Sequence, residues 1–448
     1  MARPLWSSDS DRRETALLVA VQKRDQHERD VHDSLEELAL LSATAGAEVV
    51  DQVVCRQMAI HPATFIGRGK TEEIARQVRD REITTVVFDD DLSPAQGRNL
   101  GRLIEAKIID RTQLILDIFA QHAHTKEGRL QIELAQYQYL LPRLRHMWAH
   151  LERQRGGIGL RGPGEQQLEV DRRRVQNKML RIRDALEHVR KHRAEQRRGR
   201  RRHGWALLTF VGYTNAGKST LLNSLTGADV LAYDKLFATL DPVTRQLRLP
   251  NHQPVLVTDT VGFIRKLPHH LVESFKATLE EVNEADLLIH VIDASHPSVD
   301  RQIDAVSVVL RELGADQKPV LSVLNKMDLG SARAQCGRLL ARLGRAVPVS
   351  ALAGEGLDLL RDELADFLKS RTARVQMRLP ASEGKLLAAV RSSGKVFAET
   401  YGEDGSALVE ASVPGRLYGR CLPFLVPEKR ANRRRPAKKT AAPREDIG

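Results

Sequence analysis

The sequence is poor in cysteine and has no long apolar run and no apolar segment near its N-terminus. Its three cysteines, Cys55, Cys336 and Cys421, lack metal-site spacing and cannot all pair, which is typical of a protein in a reducing compartment. No stretch approaches the roughly 20 apolar residues that a membrane-spanning helix needs. The apolar core of a secretory signal is also missing. These absences predict a cytoplasmic protein without a membrane span.

Positive charge exceeds negative charge, and the excess is concentrated in one region. The chain of 448 residues has a net charge of +12. Residues 141–202 contain 19 Lys/Arg and 7 Asp/Glu, a net +12, while the tail 428–448 adds +5 and the remainder sums to −5. A charge run is often only a solvated helix face. Concentration of the whole excess in one region favours a surface that binds a phosphate backbone.

Residues 212–219 have the pattern G-x-x-x-x-G-K-S between an apolar strand candidate and a helix-forming run. This context predicts a P-loop, in which backbone N–H groups turn toward phosphate oxygens. Lys218 would reach the β- and γ-phosphates, and the Ser219 hydroxyl would ligate Mg²⁺. The predicted phosphate-binding residues are Gly212, Tyr213, Thr214, Asn215, Ala216, Gly217, Lys218, Ser219 and Thr220.

Two later motifs, each at the end of an apolar strand candidate, identify the nucleotide. Asp259, in the run Asp259-Thr260-Val261-Gly262, is placed to hold Mg²⁺, and the Gly262 N–H to meet the γ-phosphate. In the run Asn325-Lys326-Met327-Asp328, the Asp328 carboxylate can accept both N1–H and the exocyclic amine of guanine. Adenine does not offer that pair of donors, so the predicted ligand is GTP. Ser350, Ala351 and Leu352 fit the loop that lines the base.

The segments that respond to the γ-phosphate carry one unusual residue. Ras-like enzymes place a water-orienting Gln directly after the switch II glycine, whereas this chain has Phe263, which has no hydrogen-bonding side-chain atom. No catalytic residue is therefore assigned, and slow intrinsic hydrolysis is expected. In the switch I segment, Phe237 and Thr239 are assigned to the site, with Thr239 closing over Mg²⁺. Asn215 is a candidate ligand for K⁺ or, equally, a plain phosphate contact.

The order of predicted elements gives an α/β fold. A P-loop GTPase domain, with a mostly parallel sheet and helices on both faces, follows a small α/β subdomain and a long antiparallel helical hairpin, and precedes a small α+β domain. The predicted boundaries are 1–105 for the N-terminal subdomain, 106–203 for the hairpin, 204–371 for the GTPase domain, 372–427 for the C-terminal domain and 428–448 for a disordered basic tail.

The hairpin prediction depends on two apolar stripes with alternating steps of three and four residues. The first stripe runs from Leu130 to Leu151, although Pro142 would kink or interrupt its helix. The second runs from Leu168 to Val189. The stripes predict helices that pack on each other and imply no cofactor.

A loop of unusual composition, residues 156–164, joins the two helices and contains five glycines and one proline. It is predicted either to become ordered on RNA or to be a plain disordered linker. The candidate RNA-binding residues are Arg153, Arg155, Gly157, Arg161, Gly162 and Gly164. A second glycine-containing segment, residues 67–70, is either a phosphate contact or, more simply, a tight turn before a helix.

Several of these segments together resemble the HflX family of GTPases. They are residues 110–112, 128–136, 156–169, 212–220, 237–245 and 259–263, and the resemblance covers about residues 15–425. It implies a cytoplasmic, ribosome-associated GTPase that binds the large subunit and splits stalled ribosomes, often under stress. It further implies that the hairpin contacts rRNA near the peptidyl-transferase centre and that the ribosome accelerates GTP hydrolysis. ATP binding by the N-terminal region has been proposed in the family.

Two hypotheses for function remain open at this point. The chain is either a monomeric ribosome-splitting or ribosome-rescuing GTPase, or a GTP-dependent assembly factor or regulatory RNA-binding switch. The basic hairpin with its glycine-rich tip favours the first, because a simple switch needs no such extension.

Overall fold

The computed structural model describes most of the chain and divides it into two compact units, residues 1–365 and 366–448. The described residues are 14–24, 26–144, 163–202, 205–227, 236–237, 239–266, 281–369 and 372–426.

The first unit begins with a parallel four-stranded sheet in the order β2-β1-β3-β4. Its central strand is buried on both faces, since the six residues from Ala16 to Val21 are all apolar and inaccessible. The strands are β1 Thr15–Gln22, β2 Glu48–Arg56, β3 Thr85–Phe88 and β4 Lys107–Asp110. The helices are α1 Glu28–Ala45, α2 Arg68–Asp80, α3 Pro94–Ile104 and α4 Arg111–His122.

Two features of this region differ from the sequence prediction. Strand β4 pairs with β3, so the sheet continues past residue 105, where the subdomain was predicted to end. Residues 68–70 form the first turn of α2 rather than a loop, with Gly67 as the N-cap. Lys70 and Arg68 lie in ion pairs with acidic residues of the same helix. Residues 67–70 therefore have the simpler structure, a helix start.

Helices α5 Lys126–Leu144 and α6 Pro163–Arg202 pack on each other through the predicted stripes. Leu134 of α5 lies in one apolar cluster with Met179, Ile182 and Leu186 of α6. Helix α5 accommodates Pro142 and ends two residues later, and the end of the first stripe lies outside the described residues. The long helix α6 is strongly charged, and none of the helices in the described ranges is long and apolar enough to cross a membrane.

The loop between the two helices is shorter than predicted at its C-terminal end. Pro163 and Gly164 belong to the first turn of α6, where the fixed φ of proline suits a helix and its missing N–H costs nothing. The other predicted RNA-binding residues lie outside the described residues: Arg153, Arg155, Gly157, Arg161 and Gly162.

A six-stranded sheet in the order β10-β9-β8-β5-β7-β6 forms the rest of the first unit. Only β6 is antiparallel to its neighbour, which confirms the predicted mostly parallel sheet. The strands are β5 Ala206–Gly212, β6 Val243–Arg248, β7 Pro254–Asp259, β8 Leu287–Asp293, β9 Val320–Asn325 and β10 Ala346–Pro348. The helices are α7 Lys218–Thr226, α8 Val299–Glu312, α9 Gly330–Leu343 and α10 Leu357–Lys369.

The second unit is a three-stranded antiparallel sheet in the order β11-β13-β12 with helices packed on it. Its apolar residues alternate along β11, where Val375, Met377 and Leu379 are buried and the residues between them are exposed. The elements are β11 Thr372–Leu379, α11 Gly384–Ser393, β12 Lys395–Tyr401, β13 Ala407–Pro414 and α12 Gly415–Cys421. This sheet with its helices agrees with the predicted small α+β domain.

Candidate nucleotide site

The predicted P-loop lies between the end of β5 and the start of α7, as a parallel sheet requires for phosphate binding. Lys218 is buried, and its Nζ donates to the carbonyl oxygens of Tyr213 at 2.9 Å and Gly212 at 3.3 Å. Burial lowers the pKa of Lys218 to about 8, although the nearby Asp259 carboxylate opposes this. The Lys218 ammonium group is therefore already held inside the P-loop, where a phosphate would bind, and does not have to enter it from solvent.

Three oxygen-bearing side chains from separate segments meet beside the P-loop. The Ser219 Oγ donates to Asp259 Oδ2 at 2.5 Å and lies 2.7 Å from the Thr239 Oγ1. Burial raises the pKa of Asp259, and Lys218 counteracts this. Within the described part of the chain, the buried Asp259 Oδ1 has no hydrogen-bond partner. Hydroxyl and carboxylate oxygens with one unused acceptor fit a hard cation such as Mg²⁺.

The predicted base-binding residues are also brought together. Asn325 joins them to the P-loop, because its Nδ2 donates to the Ala216 carbonyl at 2.8 Å and its Oδ1 accepts from the Ala351 N–H at 2.9 Å. The Ser350 hydroxyl donates to Asp328 Oδ1 at 2.6 Å and so fixes the carboxylate that is expected to read guanine. The Leu352 side chain, by contrast, is 83% exposed.

The side chain of Lys326 and the backbone of Met327 hold this loop in place. Lys326 forms an ion pair with Asp293 of 2.6 Å, and the Met327 N–H donates to the Val349 carbonyl at 3.1 Å. These bonds hold the loop against the ends of β8 and β10.

The segment after β7 follows the P-loop closely. A Cβ on Gly262 would lie only 2.7 Å from the Thr214 Cα, so any larger residue would push the two segments apart. The Phe263 backbone donates to the Gly212 carbonyl at 3.0 Å and accepts from the Thr214 N–H at 2.8 Å. The Phe263 ring lies in the core, where only 1% of the residue is exposed. It therefore anchors switch II and offers no group that could orient a water molecule.

Three of the predicted site residues direct their side chains away from the phosphates. The Thr260 hydroxyl donates to the Phe210 carbonyl at 2.7 Å inside the sheet. The Phe237 ring packs edge to face on Phe119 of α4, with ring centroids 4.6 Å apart. The Tyr213 hydroxyl accepts from the Arg265 N–H at 2.9 Å and donates to Glu37 of α1. Tyr213 and Phe237 thus face the N-terminal sheet and its helices.

Sequence patterns did not reveal the buried ionic cluster into which Tyr213 points. The Arg111 side chain, only 2% exposed, pairs with Asp89 at 2.8 Å and with Glu37, and donates to the Arg265 carbonyl at 3.2 Å. Lys266 also pairs with Asp89. Burial favours the neutral form of Asp89, but Arg111 and Lys266 outweigh it and hold the pKa of Asp89 below its usual range. One signal was available, since Asp89 and Asp110-Arg111 each follow a parallel strand, and such strand ends converge.

Replacing Tyr213 with Phe should destabilise the protein by about 1–3 kcal/mol, because a half-buried Arg265 N–H and a Glu37 oxygen each lose their partner. Tyr137→Phe is the matched control, since the Tyr137 hydroxyl makes only a 3.4 Å contact with Glu133 on α5. Urea unfolding of both variants checks the difference. Equal midpoints for the two variants would contradict the structural role of Tyr213.

One buried histidine lies in the central sheet beside the site. His290 of β8 is paired with Val211 of β5 and is 6% exposed. Burial lowers the pKa of His290 to about 4, and the positive charge of Lys218 lowers it further. The folded protein therefore holds this side chain neutral.

His290 should make stability pH-dependent. The unfolded chain takes up a proton near the ordinary value of 6.5, whereas the folded chain does so only near 4. The contribution is complete above pH 6.5 and declines as the pH falls toward 4, by up to about 3 kcal/mol. His290→Leu should flatten this slope, whereas His188→Leu, on an exposed residue of α6, should leave it unchanged. Urea midpoints measured from pH 4 to pH 8 test this, and parallel slopes in all three proteins would exclude it.

Three family models match consecutive parts of the chain. They are described as GTP-binding GTPase N-terminal at residues 32–120, GTP-binding GTPase Middle Region at residues 122–200, and 50S ribosome-binding GTPase at residues 208–326. A GTP-binding protein from Sulfolobus solfataricus, solved in complex with GDP, aligns with 79% of this chain and 98% of its own, at 26% identity and a TM-score of 0.43.

Curated relatives match over nearly their full length. GTPase HflX of Lacrimispora saccharolytica is 46% identical over 407 residues, which are 90% of this chain and 95% of that protein. GTPase HflX of Escherichia coli K12 is 45% identical over 405 residues, covering 90% of this chain and 94% of its own. The chain belongs to the HflX family of GTPases.

Proposed function

We propose that this GTPase is a monomer that binds the large ribosomal subunit in the cytoplasm and uses its GTP cycle to split or rescue stalled ribosomes, as under stress. The description of the matched family model, 50S ribosome-binding GTPase, supports the partner. The observation that carries the proposal is the junction of a long basic hairpin with a nucleotide site in one compact unit.

The shape and charge of α6 support a role in contacting RNA. Its 40 residues extend about 60 Å at the usual helical rise. One side packs on α5, and the other exposes basic side chains to solvent. Salt bridges such as Lys178 with Glu133, 3.4 Å apart, occupy some of them at the surface and are weak there. The exposed Lys and Arg residues in the described part of this helix are Arg173, Arg174, Lys178, Arg181, Arg183 and Lys191.

We assign the proposed rRNA contacts near the peptidyl-transferase centre to the glycine-rich segment between α5 and α6 and its flanking arginines. Arginine guanidinium groups suit phosphate oxygens and stack on exposed bases, and glycines allow the backbone a close approach. The residues proposed for these contacts are Arg153, Arg155, Gly157, Arg161, Gly162 and Gly164.

In the nucleotide site we assign Mg²⁺ to Ser219, Thr239 and Asp259, whose oxygens already converge. When bound, the ion neutralises charge on the β- and γ-phosphates. The Gly262 N–H is assigned to the γ-phosphate and Asp328 to guanine. Asn215, exposed at the outer edge of the P-loop, keeps its two candidate roles as a K⁺ ligand or a phosphate contact.

Hydrolysis by the free protein should be slow and should accelerate on the ribosome. The buried Phe263 ring occupies the position where Ras-like enzymes have the Gln that orients the attacking water. The missing group must therefore come from a partner or from a rearranged loop, which the ribosome would supply.

Intact ribosomes incubated with the protein and GTP, or a non-hydrolysable analogue, should separate into subunits. Light scattering and sucrose gradients measure the separation. The matched control is Lys218→Ala, which removes the charge that holds the β- and γ-phosphates and should abolish nucleotide-dependent release while leaving the hairpin folded. Stable binding to free large subunits, with intact ribosomes left whole, would reject splitting in favour of an assembly or regulatory role.

Replacing Arg153, Arg155 and Arg161 with Gln should weaken ribosome binding and flatten its dependence on salt. Each lost phosphate contact reduces the slope of log K against log salt by about 0.7–0.9. The control is the exchange of three exposed arginines near α2, Arg76, Arg79 and Arg81, for Gln, which makes the same change in net charge. Equal slopes for both triple variants would place the RNA-binding surface elsewhere.

A further inference from the structure

Switch I contacts helix α4 and the α4–α5 turn, where the hairpin begins, on both sides of Thr239. Two residues before it, the Phe237 ring packs on Phe119 of α4, and both rings are buried. Two residues after it, Asp241 bonds to the turn between α4 and α5. Phe237 has a φ of 59°, a backbone conformation that a bulky residue adopts only where packing enforces it. Thr239 therefore lies between two residues, Phe237 and Asp241, that are held by contacts outside the GTPase sheet.

The Asp241 carboxylate lies at the N-terminus of α5. Its Oδ2 accepts from the backbone N–H groups of His124 at 3.0 Å and Thr125 at 2.8 Å, and its Oδ1 accepts from the Thr125 hydroxyl. The Thr125 hydroxyl in turn accepts from the Gly128 N–H at 3.0 Å, which caps the helix. A carboxylate in this position is stabilised by charge-assisted hydrogen bonds and by the helix dipole.

Gly128 makes room for this contact. It is buried in the first turn of α5, and a Cβ added there would lie 2.5 Å from Asp241 Oδ1. The same Cβ would lie 3.2 Å from the Thr125 hydroxyl oxygen. Alanine suits a helix better than glycine by about 1 kcal/mol, so this glycine is explained by the neighbouring carboxylate and not by the helix.

We propose that the α4–α5 turn, defined by Thr125 and Gly128, is the positioning element for Thr239. Seating Asp241 on this turn and Phe237 on α4 places the Thr239 hydroxyl beside Ser219, 2.7 Å away, where the γ-phosphate side of the site closes. Asp241, Thr125 and Gly128 are positioning residues, since none of them touches the nucleotide site itself.

Because α5 continues into the hairpin, the turn also links the hairpin to the choice of nucleotide. Thr239 contributes to binding only when a γ-phosphate is present, so the seated turn favours GTP over GDP. By thermodynamic reciprocity, a partner that binds the hairpin and displaces the α4–α5 turn changes the preference for GTP by the same factor by which GTP changes the affinity for that partner. The inference rests on the assignment of Thr239 and needs no ribosomal partner, so the free protein can test it separately from ribosome splitting.

Gly128→Ala in the full-length protein should lower affinity for a non-hydrolysable GTP analogue by about 10- to 100-fold, the loss expected when hydrogen bonds to a charged group are broken. Affinity for GDP should remain unchanged. Titration with fluorescent derivatives of both nucleotides gives the ratio, and steady-state hydrolysis gives kcat and KM. The control is Gly97→Ala, which also adds a methyl group early in a helix, where nothing lies within 4 Å of the new Cβ.

Asp241→Ala should produce a loss of similar size because it removes the carboxylate from the turn. In that background Gly128→Ala should cost nothing further, since the atom that its methyl group would strike is gone. This double variant also keeps the test valid if Gly128→Ala alone fails to fold. Three results would overturn the proposal: Gly128→Ala behaving like Gly97→Ala, losses that add in the double variant, or equal losses of affinity for both nucleotides.

Discussion

The buried guanidinium of Arg111 joins three parts of the chain that are distant in sequence. It pairs with Asp89 at the end of β3 and with Glu37 on α1, and it donates to the Arg265 carbonyl in switch II. A charge in such a dry place is tolerated only while its partners stay in position, since removing one leaves the others buried and uncompensated. The cluster therefore fixes the position of the N-terminal sheet relative to the nucleotide site. An apolar contact would tolerate a larger shift between the two.

All three segments that would surround the phosphates contact the N-terminal region. The P-loop does so through Tyr213, switch II through Arg265 and Lys266, and switch I through Phe237 and Asp241. In the proposed nucleotide site, the GTPase sheet therefore carries the residues assigned to the phosphates and the base, and the region before it contacts the P-loop and the described parts of both switch segments.

Local patterns point to a nucleotide site because each of its predicted motifs lies at the end of an apolar strand. Lys218, Asp259, Asn325 and Asp328 converge since parallel strands end at one edge of the sheet. The ionic cluster gives a weaker signal, because Asp89 and Arg111 lie at the ends of parallel strands, whereas Glu37 and Tyr213 are far apart in sequence and each has an ordinary neighbourhood. Strand β2 gives only a weak sequence signal, because its partly exposed residues at the sheet edge form no continuous apolar run. Gly164 was placed in a loop on composition, although Pro163 favours a helix start.

Helix α6 and strand β5 are nearly continuous in the chain. The helix ends at Arg202, the strand begins at Ala206, and the same strand ends at Gly212, the first residue of the P-loop. The companion helix α5 begins at the turn that holds Asp241. A displacement of the hairpin would thus reach the nucleotide site by two routes, one along the covalent chain through β5 into the P-loop and one through the hydrogen bonds of the α4–α5 turn to Asp241 of switch I. The two helices would in this way transmit a movement of the hairpin to the P-loop and to switch I together.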